Sequence, residues 1–310
     1  MKKILKNNWF ILLSILLLIT WFLFGLFKFL DQYYEEVRLT NQYYSECEKI
    51  DFQKDICKDI KTNKEGLRIP PAPLLFIYIL TGSSSLDSTF SLYYLPIFAI
   101  LFVIIPSMLK FYIDIHSGNY KNKLLRQNYF SFLKTHYKQS LKSAWILPIF
   151  FLVSFLIICF VSHFNFQYLP GETELGGSIF YSSGEYVRSL WLPYFLVILF
   201  CLFTHSIYYI NMAYIMFFKA KNFLIGILKT FLSYLITQTL FVSLFQYIIG
   251  KLLKCKELAL AISDPEIWIF GAEITHFEYM FYIAIIYVII SFFLFIIVYH
   301  KKEKLVISNE

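Results

Sequence analysis

Hydrophobic and polar positions divide this chain into long blocks rather than the short alternating runs of a soluble fold. Six stretches contain no Asp, Glu, Lys or Arg: Trp9–Phe27, Ser91–Leu109, Ala144–Val161, Leu190–Phe218, Thr230–Ile249 and Tyr279–Tyr299. A hydrocarbon core of about 30 Å needs around 20 helical residues, so each stretch predicts one transmembrane helix. Barrel strands would be shorter and alternate in character, and helix is the form that satisfies its own backbone in lipid. The predicted fold class is an all-α membrane protein with six transmembrane helices in one domain, 1–310.

The polar connections differ among themselves. The chain predicts an outer loop at 30–89, a basic loop at 110–142, a loop at 162–189, a very short link at Lys219–Asn222 and an outer loop at 250–278. Within the first of these, Leu74–Leu80 is apolar but too short to span, so it should lie at the interface or pack on the bundle. The last loop has two short apolar pieces, Leu258–Ile262 and Ile267–Phe270, around Ser263-Asp264-Pro265. That pattern suits a re-entrant element whose backbone is covered by protein.

Charge then orients the six crossings, which put both termini on one side. If that side is cytoplasmic it holds 15 Lys/Arg against three acids, whereas the opposite side holds 12 against 18. The positive-inside rule therefore predicts an N-in, C-in protein of the cell membrane. Trp9–Phe27 is longer than the 7–15-residue apolar core of a signal peptide, roughly, and no small-x-small cleavage site follows it, so it reads as a retained anchor.

Composition strengthens the membrane reading. The chain is 58% hydrophobic before glycine is counted, with a mean hydropathy of +0.60, against roughly 45–50% with glycine in soluble domains. The net charge of +7 is not gathered on a soluble module, so no nucleic-acid partner is expected. Five cysteines are too few for a disulfide scaffold. Cys47 and Cys57 share the first outer loop, and a disulfide between them is an open possibility if that loop faces an oxidising compartment.

Candidate chemistry within the apolar stretches is sparse. His205, Asn211, Gln238 and Gln246 read as interhelical hydrogen-bonding groups, and Lys229 can snorkel to the surface. No metal-ligand spacing, GxSxG, HExxH or GxxxxGK[ST] occurs, so no catalytic residue, metal or cofactor is expected on this chain.

The most informative stretch is the basic loop, Asp114-Ile-His-Ser-Gly118-Asn-Tyr-Lys121-Asn-Lys-Leu124-Leu125-Arg126, continuing to Lys134. Gly118 allows a tight turn after Asp114, and Tyr120, Leu124 and Leu125 are expected to form one apolar face of a short helix ringed by Lys121, Lys123 and Arg126. Such a helix either lies against anionic membrane lipid or plugs into a cytoplasmic partner.

This spacing resembles the loop between the second and third helices of ABC-2 type transporter permeases. In that family an acidic residue, three positions and a glycine precede a Lys-x-x-Leu-Leu segment and a later lysine. Asp114 stands where the family usually has glutamate, Gly118 matches its glycine, Lys121, Leu124 and Leu125 match the segment, and Lys134 the later lysine. Asn119 replaces a frequent threonine and the proline usual after the segment is missing. Lys221-Asn222 resembles the family's short link between the fourth and fifth helices, and the long first outer loop is similar to that of bacterial peptide or bacteriocin-defence exporters.

The resemblance implies an ABC-2 bundle of type V exporter character in a bacterial membrane. It implies an ABC ATPase subunit that carries ATP and Mg, and a second permease copy or paralogue. Asp114, Gly118, Lys121, Leu124, Leu125, Arg126 and Lys134 would then be the ATPase-coupling residues, and the cargo a peptide, lipid or drug-like molecule. The alternative is a non-transporting membrane protein, such as a bacteriocin-immunity or assembly factor, whose basic loop holds anionic lipid.

Overall fold

The computed structural model describes residues 2–47, 72, 75–76, 95–117, 119–126, 128–166, 180–217, 220–252, 254 and 277–300. Among these, regular structure is helical throughout and no strand occurs. In chain order the helices are α1 (Lys2–Cys47), α2 (Leu95–His116), α3 (Asn119–Arg126) and α4 (Tyr129–Ser140). A 3₁₀ turn at Leu141–Trp145 leads into α5 (Ile146–Val161), and α6 (Phe180–Phe217), α7 (Phe223–Leu252) and α8 (Phe277–Tyr299) follow.

The described residues of each of the six predicted stretches fall on a helix. Five helical segments are long and apolar enough to cross a bilayer: Trp9–Leu39, Phe98–His116, Tyr129–Val161, Phe195–Phe217 and Phe281–Tyr299. Phe223–Thr237, in α7, is a shorter apolar segment. These lengths and compositions fit a multi-pass membrane protein.

The ends of the helices depart from the hydropathy pattern. α1 runs for 46 residues, about 69 Å at 1.5 Å per residue, so the first part of the expected 30–89 loop is helix. No Gly or Pro interrupts Leu26–Cys47, and Arg38 Nε donates to Glu35 Oε2 at 2.9 Å one turn away. α2 likewise runs past Leu109 to His116, which places Lys110 and Asp114 inside a helix rather than in a loop. α7 starts at Phe223 because Asn222 caps it, its Oδ1 accepting the Ile225 N–H at 2.7 Å.

Helix α6 is the hub, packing most extensively on α8 and also on α2, α5 and α7, while α1 packs on α2 and α5. Its buried Ser206 and Ala213 permit close approach of neighbours, as small residues do in membrane bundles. At the α6–α7 turn the Phe217 ring occupies the space beside Gly226, where a Cβ would lie 2.6 Å from Phe217 Cε1. Leu75 and Phe76 are buried. The Phe76 ring lies 4.7 Å from that of Phe151 and 5.3 Å from that of Phe155, so the described part of the Leu74–Leu80 run packs on the bundle. The 255–276 part of the re-entrant expectation lies outside the described residues, as does Cys57 of the possible disulfide.

Candidate functional site

The basic loop folds as two helices, α3 and α4, laid against one end of the bundle. Alone, eight residues cannot sustain a helix in water, because nucleation costs more than so few bonds return. Three anchors hold α3 instead. Tyr120 is 3% exposed, Leu124 packs partly against the core one turn later, and Lys123 Nζ donates to Asp114 Oδ2. Asp114 lies in the last turn of α2 and is itself buried. His136 Nε2, from α4, lies 3.2 Å from the same carboxylate oxygen. One carboxylate thus joins α2, α3 and α4.

With Tyr120 and Leu124 turned inward, the opposite face of α3 presents Lys121, Leu125 and Arg126 to the outside. Leu125 is 85% exposed. The expectation of one face shared by Tyr120, Leu124 and Leu125 is therefore corrected. Adjacent residues are about 100° apart on a 3.6-residue turn, so an inward Leu124 sends Leu125 to the rim. Lys134 is exposed on α4, with Phe130 and Lys138 on the same stripe at four-residue spacing. Gly118 lies outside the described residues.

Beneath this surface runs a chain of buried polar contacts. Tyr137 OH donates to Asn211 Oδ1 at 2.8 Å, and Asn211 Nδ2 donates to Ser291 Oγ at 2.9 Å, which links α4, α6 and α8. Ser140 Oγ donates to the Ser107 carbonyl at 2.7 Å and lies 2.9 Å from Tyr214 OH. Tyr129 OH donates to the Tyr299 carbonyl at 3.0 Å, and Tyr299 OH to the Tyr214 carbonyl at 2.8 Å. Tyr299 closes α8, so its carbonyl lacks a partner within the helix, and the Tyr129 hydroxyl supplies one. The rings of Phe111, Tyr214, Phe295 and Tyr299 fill the space between, with Phe111–Tyr214 centroids 4.8 Å apart and Phe295–Tyr299 centroids 5.1 Å apart.

No protein-family model, curated protein or solved structure matches this chain.

What the arrangement can do must therefore be read from the residues themselves. Among the described residues there is no group of three His, Cys, Asp or Glu that could hold a metal ion, and Asp114 with His136 alone does not make one. Asn211 makes the interhelical bonds expected of it. His205 is buried on α6 with its ring 4.6 Å from that of Tyr209. The side chains of Gln238 and Gln246 lie outside what is described.

Sequence reasoning missed Lys123, His136, Tyr137 and Ser140 as structural partners. Their signal is faint. Tyr129, Leu133, His136 and Ser140 recur at helical spacing on α4 and all are buried, a stripe visible only once Lys134 and Lys138 are read as its opposite face.

Proposed function

We propose that this chain is the membrane-spanning permease subunit of an ATP-driven transporter of the ABC-2 type, with six crossings and both termini cytoplasmic. ATP and Mg are handled by a separate ATPase subunit, and a second permease copy or paralogue completes the pathway. The observation that supports this reading is the form of the loop between the second and third spans. It is a short basic helix clamped to the bundle through Asp114–Lys123 and Tyr120, with Lys121, Leu125 and Arg126 turned away from it.

Such a helix suits mechanical transfer. A push delivered to Lys121, Leu125 and Arg126 reaches α2 through the Asp114 carboxylate and α4 through His136. From α4 it reaches α6 and α8 through Tyr137–Asn211–Ser291 and Tyr129–Tyr299. Rigid-body rocking of two bundles then opens a path at their interface. The permease itself performs no covalent chemistry, and the resemblance points to a peptide, lipid or drug-like cargo leaving the cell.

The test is co-expression with any Walker-motif ATPase found encoded beside it, followed by affinity purification and ATP-dependent transport in proteoliposomes. The wild-type chain should carry the ATPase through purification, and the K121E/R126E variant should lose both the subunit and transport while remaining in the membrane. Retention of the ATPase and of transport by that variant removes α3 as the docking surface. An ATPase that never associates leaves the non-transporting immunity or assembly reading in its place.

A further inference from the structure

A cavity of about 200 Å³ opens between the first turns of the apolar part of α1, the Pro106 region of α2 and the face of α4 next to the 3₁₀ turn. Its lining has two chemistries. Lys110, Gln139 and Ser143 supply polar groups, and Phe10, Pro106 and Ile113 supply apolar surface. Phe10 and Ile113 are about half exposed, so part of the cavity's rim is apolar. A purely aqueous ligand site has no use for such a rim.

The polar side is spent only in part: Ser107, Ser140 and His136, which also line it, are engaged with the Ile104 and Ser107 carbonyls and the Asp114 carboxylate. Among the described residues, the side chains of Lys110, Gln139 and Ser143 have no hydrogen-bond or ion-pair partner. Ser143 is only 1% exposed, and its hydroxyl is placed to donate to a ligand oxygen that enters the cavity. The lining holds one lysine and no carboxylate, and the nearby Asp114 carboxylate is already engaged by Lys123. The cavity therefore favours an anion with several acceptor oxygens.

We propose that this cavity holds the headgroup of an anionic phospholipid, with the phosphate oxygens met by Lys110, Gln139 and Ser143. At about 30 Å³ per water in the liquid, the space matches six or seven waters, roughly. That admits a phosphate with its glycerol but no acyl chains, which run out past Phe10 and Ile113 along the bundle. Pro106, inside α2, lines the cavity and cannot donate an N–H to the turn before it. Basic pockets between membrane helices take acidic headgroups on this electrostatic ground. The site requires only that the chain be membrane-embedded, and stands apart from the transporter reading.

The experiment is native mass spectrometry of the purified full chain after exchange into micelles carrying phosphatidylglycerol, phosphatidylcholine or inorganic phosphate alone. The wild type should retain one phosphatidylglycerol in preference to phosphatidylcholine. K110Q should lower that retention about tenfold or more, as loss of a charge-assisted hydrogen bond implies, Q139A should lower it by less, and K110R should restore it. K138Q, on the exposed stripe of α4 outside the cavity, should behave as wild type. Equal retention of both lipids, equal loss in K110Q and K138Q, or binding of inorganic phosphate that excludes the lipid would each overturn the proposal. Should K110Q fail to fold, S143V, which fills the buried polar side without touching charge, must still abolish the preference.

Discussion

Replacing Asp114 by asparagine keeps the side chain's shape and removes the charge that Lys123 answers. Two charges in contact interact by about 4 kcal/mol at an effective dielectric near 20, and a freely exposed pair is worth under about 1 kcal/mol. The Asp114 side chain is 10% exposed and that of Lys123 39%, so one partner is nearly dry and the other half wet. The pair should thus hold α3 by about 1–2 kcal/mol, between those limits. Because Asn119–Arg126 is too short to persist alone, that loss appears as opening of α3 in particular. Amide hydrogen exchange across Asn119–Arg126 should rise by roughly 5–30-fold in D114N, at 1.4 kcal/mol per tenfold, with α8 unchanged. K123M should give a similar rise, and D114N/K123M no more than either alone. Unchanged exchange in D114N, or additive effects in the double variant, would refute the clamp.

Three further outcomes follow from the packing. N211A should destabilise the protein by about 1–3 kcal/mol, since each membrane hydrogen bond averages roughly 0.6 and reaches about 1.7 kcal/mol and a small cavity is added. Reversible unfolding in mixed micelles measures it, and a double-mutant cycle with Y137F should show coupling rather than additivity. G226A should cost about 1–3 kcal/mol by overpacking against Phe217, and F217L should relieve most of it, read from the same unfolding curves. For orientation, L125C in a cysteine-free background should react with a membrane-impermeant maleimide in inverted vesicles and stay unlabelled in intact cells; the opposite pattern would reverse the proposed topology.

Hydropathy located long apolar helices because burial in lipid demands long uncharged runs, a signal that owes nothing to tertiary contacts. It placed the helix ends poorly for the same reason. α1 continues through Asp31, Glu35 and Arg38, residues that are perfectly able to be helical but forbidden in hydrocarbon, so an apolar scan stops where the helix does not. Asp114 was legible from its spacing to the Lys-x-x-Leu-Leu segment, but its true partners were not. Lys123 meets it only because α3 folds back beside the end of α2, and His136 only because α4 returns along the bundle. Leu125 was grouped with Leu124 by composition, which cannot say which of two neighbouring leucines faces inward. Nothing in the sequence tells a tyrosine at the lipid surface from one that reaches a carbonyl, as Tyr129 and Tyr299 do.

The junction at the end of α8 has a property that side-chain networks lack. Tyr129 and Tyr299 both donate to main-chain oxygens, of Tyr299 and Tyr214, and every amino acid carries such an oxygen. Substitution at Tyr214 would change packing yet leave its carbonyl in place, so the connection tolerates drift at the receiving position and depends on the two hydroxyl donors. Mutational robustness is thus built unevenly into the basic end of the bundle: the Asp114 clamp fails with loss of either side chain, whereas the tyrosine links fail from one side only.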